Sequence, residues 1–469
     1  MDSTEFCYLS ALELRSLYEK REVSPVEVTK AVLARIDQLN GTLNAFVTVT
    51  SDLALQQARA AEEAYGSDET PPLLAGIPGS LKDLTATKGI LTTRGSLLYK
   101  DWVPDYDAPI AERIAAAGMV LLGKTNTPEL GWKGDSGNRV VGPTHNPWKH
   151  GQTSGGSSGG AGAAVASGLG PLAQGSDGAG SIRIPASFCG IYGFKPSFGR
   201  IPQYPASAVE LLSHAGPMTR TVRDAALMLN ALAGADPHDR LSFSEDIDFL
   251  QVMEGDIHGL RIGWSPDLGY APVTKEVRDT AAAAAARFEE LGCKVDEVDP
   301  GIPDPWDEVC DPIWASAFSG YYHRQLEEIR DQLTPGLLEV IESGLEMSAA
   351  QLAEAHIRRN EYYHRWRAFM EDYDLLLTPT LPVTAFTAGD DQPGEINGQP
   401  TTYLGWTKFT YPFNITGQPA ATVPCGFDGS GLPIGLQIVG RYRDDTTVLR
   451  ASAAFEEIAP WLGDRPKVE

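Results

Sequence analysis

Residues 153–162 read Thr-Ser-Gly-Gly-Ser-Ser-Gly-Gly-Ala-Gly, and residues 175–186 read Gly-Ser-Asp-Gly-Ala-Gly-Ser-Ile-Arg-Ile-Pro-Ala. A Gly/Ser tract standing alone is ordinarily a flexible linker. These two are flanked by apolar segments, and the second runs on into Ser-Phe-Cys-Gly at 187–190, which no linker does. Neither is a phosphate loop. A Walker motif needs Lys directly after its second Gly, and a dinucleotide fingerprint needs GxGxxG between a strand and a helix.

Outward from these runs, residues 73–200 are rich in Gly, Ser and small residues between short apolar runs such as 119–122. That pattern reads as tight loops threaded between buried strands. Residues 1–70 read as a helical part: Ser10 with Glu13, and Ser24 with Pro25 and Glu27, are capping-box starts. Val28, Val32, Ile36 and Leu39 then repeat at helical spacing. Residues 44–50 alternate like a strand and 51–65 read as a further helix. Beyond 221, helices over 221–234 and 274–291 alternate with short β-like segments, and strand-like runs return at 375–380 and 432–439. Such alternation predicts an α/β sheet covered by helices. Residues 300–370 carry many aromatic residues among charges, which reads as a helical insertion or cap.

The formal net charge of −24 repels phosphate backbones and anionic membranes, which argues against nucleic acid and membrane partners. Five widely spaced cysteines without a CxxC pair read as reduced thiols. The acidic N-terminus fits no signal peptide, and no apolar run approaches the roughly 20 residues of a membrane span. A cytoplasmic protein is expected. No cluster of His, Cys and carboxylates has metal-ligand spacing, so neither metal nor cofactor is expected.

Together with Gly76-Ile77-Pro78-Gly79-Ser80-Leu81-Lys82-Asp83, the two runs resemble the amidase-signature family of serine hydrolases. The separations, 75 positions from Lys82 to Ser157 and 24 from Ser157 to Ser181, are similar to that family's. The resemblance extends through Lys124-Thr125-Asn126, Gly216-Pro217-Met218-Thr219-Arg220, Phe413-Asn414-Ile415-Thr416-Gly417 and Gly435-Leu436-Gln437. It implies one domain over 1–469 with 73–200 as signature core, built on a large mixed twisted β-sheet flanked by α-helices. It further implies Ser181 as nucleophile, Ser157 as a bridging serine on a cis peptide, and Lys82 as base.

The chemistry suits these residue types. A serine hydroxyl needs a base within hydrogen-bond reach, and a neutral lysine serves where histidine is absent. None of the eight histidines lies in these motifs. Burial away from carboxylates must lower the lysine's pKa before it can accept a proton. The backbone N–H groups of Gly178, Ala179, Gly180 and Ser181 are expected to form the oxyanion hole. The family commonly has Gly where this chain has Ala179. Asp177, Arg183, Ser154 and Ser158 are expected to support the loops.

The expected substrate is a small, mostly neutral amide with an apolar or aromatic portion, such as an acyl amide or anilide. Carbamates and esters present the same carbonyl to the same nucleophile. Leu130 and Trp132, which line the pocket in relatives, and Tyr403, Trp406 and Phe409 are the expected pocket residues. Water completes hydrolysis, by a monomer or homodimer. Two other readings exist: the amidase subunit of a transfer-RNA-dependent amidotransferase complex, and a non-catalytic binding protein on the same fold. The sequence Asp177-Gly178-Ala179-Gly180, where that subunit usually has Thr-Gly-Gly, argues against the first. The presence of all three triad residues argues against the second.

Overall fold

The computed structural model describes residues 3–468. Helices Ala11–Glu19 and Pro25–Leu43 begin at Ser10 and Ser24, each closed by a reciprocal capping box that satisfies otherwise orphaned N–H groups. Val28, Val32, Ile36 and Leu39 line the buried face of the second helix.

One sheet of eleven strands organises the chain. The strands are Phe46–Val49 (β1), Pro78–Lys82 (β2), Val120–Thr125 (β3), Leu172–Asp177 (β4), Tyr192–Lys195 (β5) and His214–Thr219 (β6). They continue with Arg261–Trp264 (β7), Lys294–Glu297 (β8), Leu375–Pro379 (β9), Ala420–Phe427 (β10) and Pro433–Gly440 (β11). Their spatial order is β1-β3-β2-β4-β6-β5-β10-β11-β9-β7-β8. The sheet is mixed: β2 runs parallel to both β3 and β4, whereas β4–β6, β5–β10 and β10–β11 are antiparallel. Because β2 and β4 are parallel neighbours, their C-terminal residues Lys82 and Asp177 emerge at the same edge of the sheet.

Two wholly buried helices, Gly159–Ala166 and Arg183–Cys189, follow the two Gly/Ser runs. Small residues are needed there: a β-carbon on Gly160 would sit 2.3 Å from the Asn126 backbone nitrogen. Within 300–370 lie helices Asp311–Tyr322, Pro335–Leu345 and Ala349–Phe369, whose Trp314, Phe318, Leu337 and Trp366 share an apolar cluster with Phe409 and Phe413. Among the described residues no helix is long and apolar enough to cross a membrane.

Candidate active site

Lys82 ends β2 fully buried, and its Nζ lies 2.7 Å from Ser157 Oγ, 2.9 Å from Ser158 Oγ and 3.0 Å from Ser176 Oγ. Among the described residues no carboxylate forms an ion pair with it. Burial pushes the ammonium down to about 7, against the opposing pull of the Asp177 carboxylate. The hydroxyls have unequal roles. Ser158 donates to the Ser176 carbonyl at 3.2 Å, so its oxygen faces Lys82 as an acceptor. The Ser157 hydroxyl has no competing acceptor among the described residues and is free to donate to a neutral Nζ.

Ser157 follows Gly156 across a cis peptide bond. Its loop is tied down from outside: Thr153 Oγ1 donates to Asp135 Oδ2 at 2.6 Å, and Ser136 Oγ donates to the Gly155 carbonyl at 2.8 Å. The N–H of Gly159 closes back on Ser136 Oγ at 2.9 Å. Ser154 departs from expectation, since its buried hydroxyl has no hydrogen-bond partner among the described residues. Ser158 instead touches Lys82 directly.

Ser181 sits on the turn between β4 and helix Arg183–Cys189 and is 6% exposed. Its carbonyl accepts from the Ser158 N–H at 3.2 Å. No hydrogen bond joins its hydroxyl to a described residue, so the link to Ser157 that a proton relay requires is not formed in this arrangement. The turn is braced by Asp177 and Arg183, paired at 3.0 Å through both Nε–Oδ2 and Nη2–Oδ1. Arg183 also donates to Gln437 Oε1 at 2.8 Å and Asn414 Oδ1 at 2.6 Å. Burial works to raise the Asp177 carboxyl, yet the Arg183 guanidinium holds it well below the usual carboxylate range.

One of the four expected oxyanion donors is corrected by this bracing. The Gly180 N–H donates to Asp177 Oδ1 at 2.7 Å and is spent, whereas the N–H groups of Gly178, Ala179 and Ser181 have no acceptor among the described residues. Gly180 has φ +132°, and a β-carbon there would strike Thr410 Oγ1 at 2.4 Å, so only glycine fits.

A cavity of about 140 Å³ adjoins the group through Ser176 and Gln174. Leu130 lines it, and a β-carbon on neighbouring Gly131 would lie 3.3 Å from Ser157 Oγ. The wall also includes Leu84, Arg94, Ile110 and residues 203–208, with Phe318, Tyr321 and Tyr322 of helix Asp311–Tyr322. The other expected pocket residues do not line it. Trp132 is buried against Tyr403, ring centres 5.2 Å apart, and its carbonyl accepts from the Tyr403 hydroxyl. Trp406 stacks on Phe188 at 6.2 Å, and Phe409 is fully buried in the core. Aromatic residues beside a motif satisfy a core as readily as a pocket, and their sequence spacing does not separate the two. A larger cavity, about 400 Å³, opens between Tyr8, Trp148, Arg220 and Trp461, and none of the serines above lines it.

The family described as Amidase matches residues 27–449. The chain is 40% identical over 464 residues to an acylamidase of Rhodococcus erythropolis, covering 98% of this chain and 97% of that one. The chain belongs to the amidase signature family. This amidase superposes on a crystal structure of a bacterial aryl acylamidase of the same family with a TM-score of 0.90 and 34% identity, covering 97% of each chain. It is also 37% identical to a subunit of the glutamyl-tRNA(Gln) amidotransferase of Moorella thermoacetica, over 99% of both chains. The amidase is thus a hydrolase of amide C–N bonds on the family's large twisted mixed sheet. Ser176, Asp135, Ser136 and Asn414 carry no role that the sequence alone assigns. Ser176 and Asn414 stand within quoted motifs, whereas Asp135 acts through Thr153, 18 positions on, and Gly389, 254 positions on.

Proposed function

We propose that this amidase hydrolyses small amides with an apolar or aromatic part, acyl amides and anilides foremost, through a Ser181 acyl-enzyme. The observation that carries the reading is the buried Lys82 Nζ, 2.7 Å from Ser157 Oγ with no carboxylate paired to it. Neutral Lys82 takes the Ser157 proton while Ser157 takes that of Ser181, whose oxygen attacks the carbonyl carbon. The oxyanion accepts from the N–H groups of Gly178, Ala179 and Ser181. One proton passes from Ser157 to the leaving nitrogen as the C–N bond breaks, Lys82 restores that of Ser157, and water repeats the sequence on the ester. Carbamates and esters enter the same path. The helices of 300–370 act as a cap, supported by the cavity wall they supply.

The names of the acylamidase relatives support anilides. The likeness to the amidotransferase favours a second reading, in which the chain works only within a complex. The chain purified alone, as monomer or homodimer, is expected to hydrolyse an acyl anilide, an N-aryl carbamate and an aryl ester, and Ser181→Ala to abolish turnover of all three. Full activity of the Ser181→Ala protein would overturn the mechanism. A chain inert until other components of such a complex are added would favour the second reading.

A further inference from the structure

The cavity beside Ser176 has an unusual charge balance for a chain of net charge −24: no carboxylate lines it, and its one charged side chain is Arg94. Among the described residues, the three buried arginines are spent. Arg183 is paired with Asp177, Arg200 with Asp445, and Arg220 donates to the carbonyls of Leu9 and Val165. Arg94 makes no ion pair or side-chain hydrogen bond among the described residues, and its Nε is buried without a partner. A desolvated donor left unmatched is costly, which makes an absent acceptor the natural complement.

The group is also held in place. Its guanidinium carbon lies 4.8 Å from the Tyr99 ring centre and 4.4 Å from that of Trp102. The backbone N–H of Arg94 donates to the Asp83 carbonyl at 3.1 Å, and its backbone carbonyl accepts from the Leu130 N–H at 2.8 Å. The backbone stands at φ 52°, a left-handed conformation that non-glycine residues rarely adopt. Four other polar side chains of the wall are engaged in pairs: Gln174 accepts from Thr85 Oγ1 at 2.9 Å, and Gln203 accepts from Ser213 Oγ at 2.8 Å.

We infer that Arg94 recognises a carboxylate carried by the substrate, separated from the scissile carbonyl by a short apolar linker that packs on Leu130, Ile110 and Phe318. This rests on the reading of the cavity as the substrate site, and it replaces the expectation of a mostly neutral substrate. A planar guanidinium matches a carboxylate through two parallel N–H···O bonds, so the anion fixes the acyl chain's direction as well as its affinity.

The test compares glutaric acid monoanilide with the isosteric neutral 5-oxohexanoic anilide, whose methyl replaces one carboxylate oxygen. Wild type is expected to favour the acid in kcat/KM by at least about tenfold. Arg94→Met should bring that ratio to about one, and Arg94→Lys should restore part of it. The ratio does not depend on how much of a variant folds. A wild-type ratio near one, or a ratio unchanged in Arg94→Met, overturns the inference while leaving the hydrolase reading intact. If wild type cleaves neither anilide, the anilide reading fails, and calorimetric binding of the monoanilide decides Arg94 alone. Binding lost in Arg94→Met supports the inference, and equal binding to both proteins overturns it.

Discussion

Lys82 carries opposite demands for folding and for chemistry. Its ammonium is lowered to about 7, so it is protonated and useless as a base below that pH and free to accept a proton above it. The kcat/KM of the folded enzyme should therefore climb from about pH 6 and level off by about pH 9, with a limb near 7. A profile falling across that range would contradict a lysine base. Stability follows the same direction: between the folded value and the ordinary lysine value the unfolded chain binds more protons, so this residue's contribution rises with pH over that window. At neutral pH the burden is on the order of 4 kcal/mol. It outweighs the three hydroxyl contacts that Lys82→Met would forfeit, each about 1 kcal/mol. Lys82→Met should thus melt higher than wild type near pH 7 while being inactive, as differential scanning calorimetry would show. Lys82, Ser157 and Ser181 were legible as candidates because they stand in contiguous motifs, and the fold brings the first two within 2.7 Å. Asp135 was not, because its partners Thr153 and Gly389 are brought to it only by the fold.

The element that matters most is the turn joining β4 to helix Arg183–Cys189. Its shape is set by one carboxylate, Asp177, which gathers the Arg183 fork, the Gly180 N–H and the Asn414 amide. Arg183→Lys keeps the charge but loses the fork, leaving Gln437 Oε1 and Asn414 Oδ1 short of donors in a buried site. The cost should be roughly 3 kcal/mol, with kcat falling more than KM rises as the Ser181 turn loosens. Thermal melts and steady-state kinetics on an anilide check both halves, and an unchanged kcat would show that the clamp does not position Ser181. Helix starts were readable at this scale, since Ser10 and Ser24 cap where their Glu partners stand three residues on. The end of the alanine-rich helix was less so: residues 274–291 were expected, and the α-helix spans Lys275–Ala286 before tightening into a 3₁₀ turn at Arg287–Glu289. Alanine favours helix without marking where it stops.

For the whole molecule, the excess of 62 acidic over 38 basic residues sets up self-repulsion that salt screens. Raising NaCl from about 20 to about 300 mM should lift Tm by roughly 2–4 °C, and a melt indifferent to salt would show the charges to be too dispersed to matter. The alternation of helices and β-like segments disclosed an α/β sheet but not its strand order, because pairing partners are chosen by packing across hundreds of residues rather than by local pattern.

That order has a bearing on how the chain is made. Strands β10 and β11 are the last to be synthesised, yet they lie in the middle of the sheet, between β5 and β9. While the polypeptide is still emerging from the ribosome, β1 to β6 can assemble, but β5 presents an open hydrogen-bonding edge until residues 420–427 arrive. The half bearing Lys82, Ser157 and Ser181 is thus finished by a segment translated some 240 residues later. Nascent chains stalled before residue 420 should be protease-sensitive and prone to edge-to-edge association, and those released past 440 should not. Late closure of the sheet makes the arrival of residues 420–440, rather than the Gly/Ser motifs, the step that commits this chain to its native state.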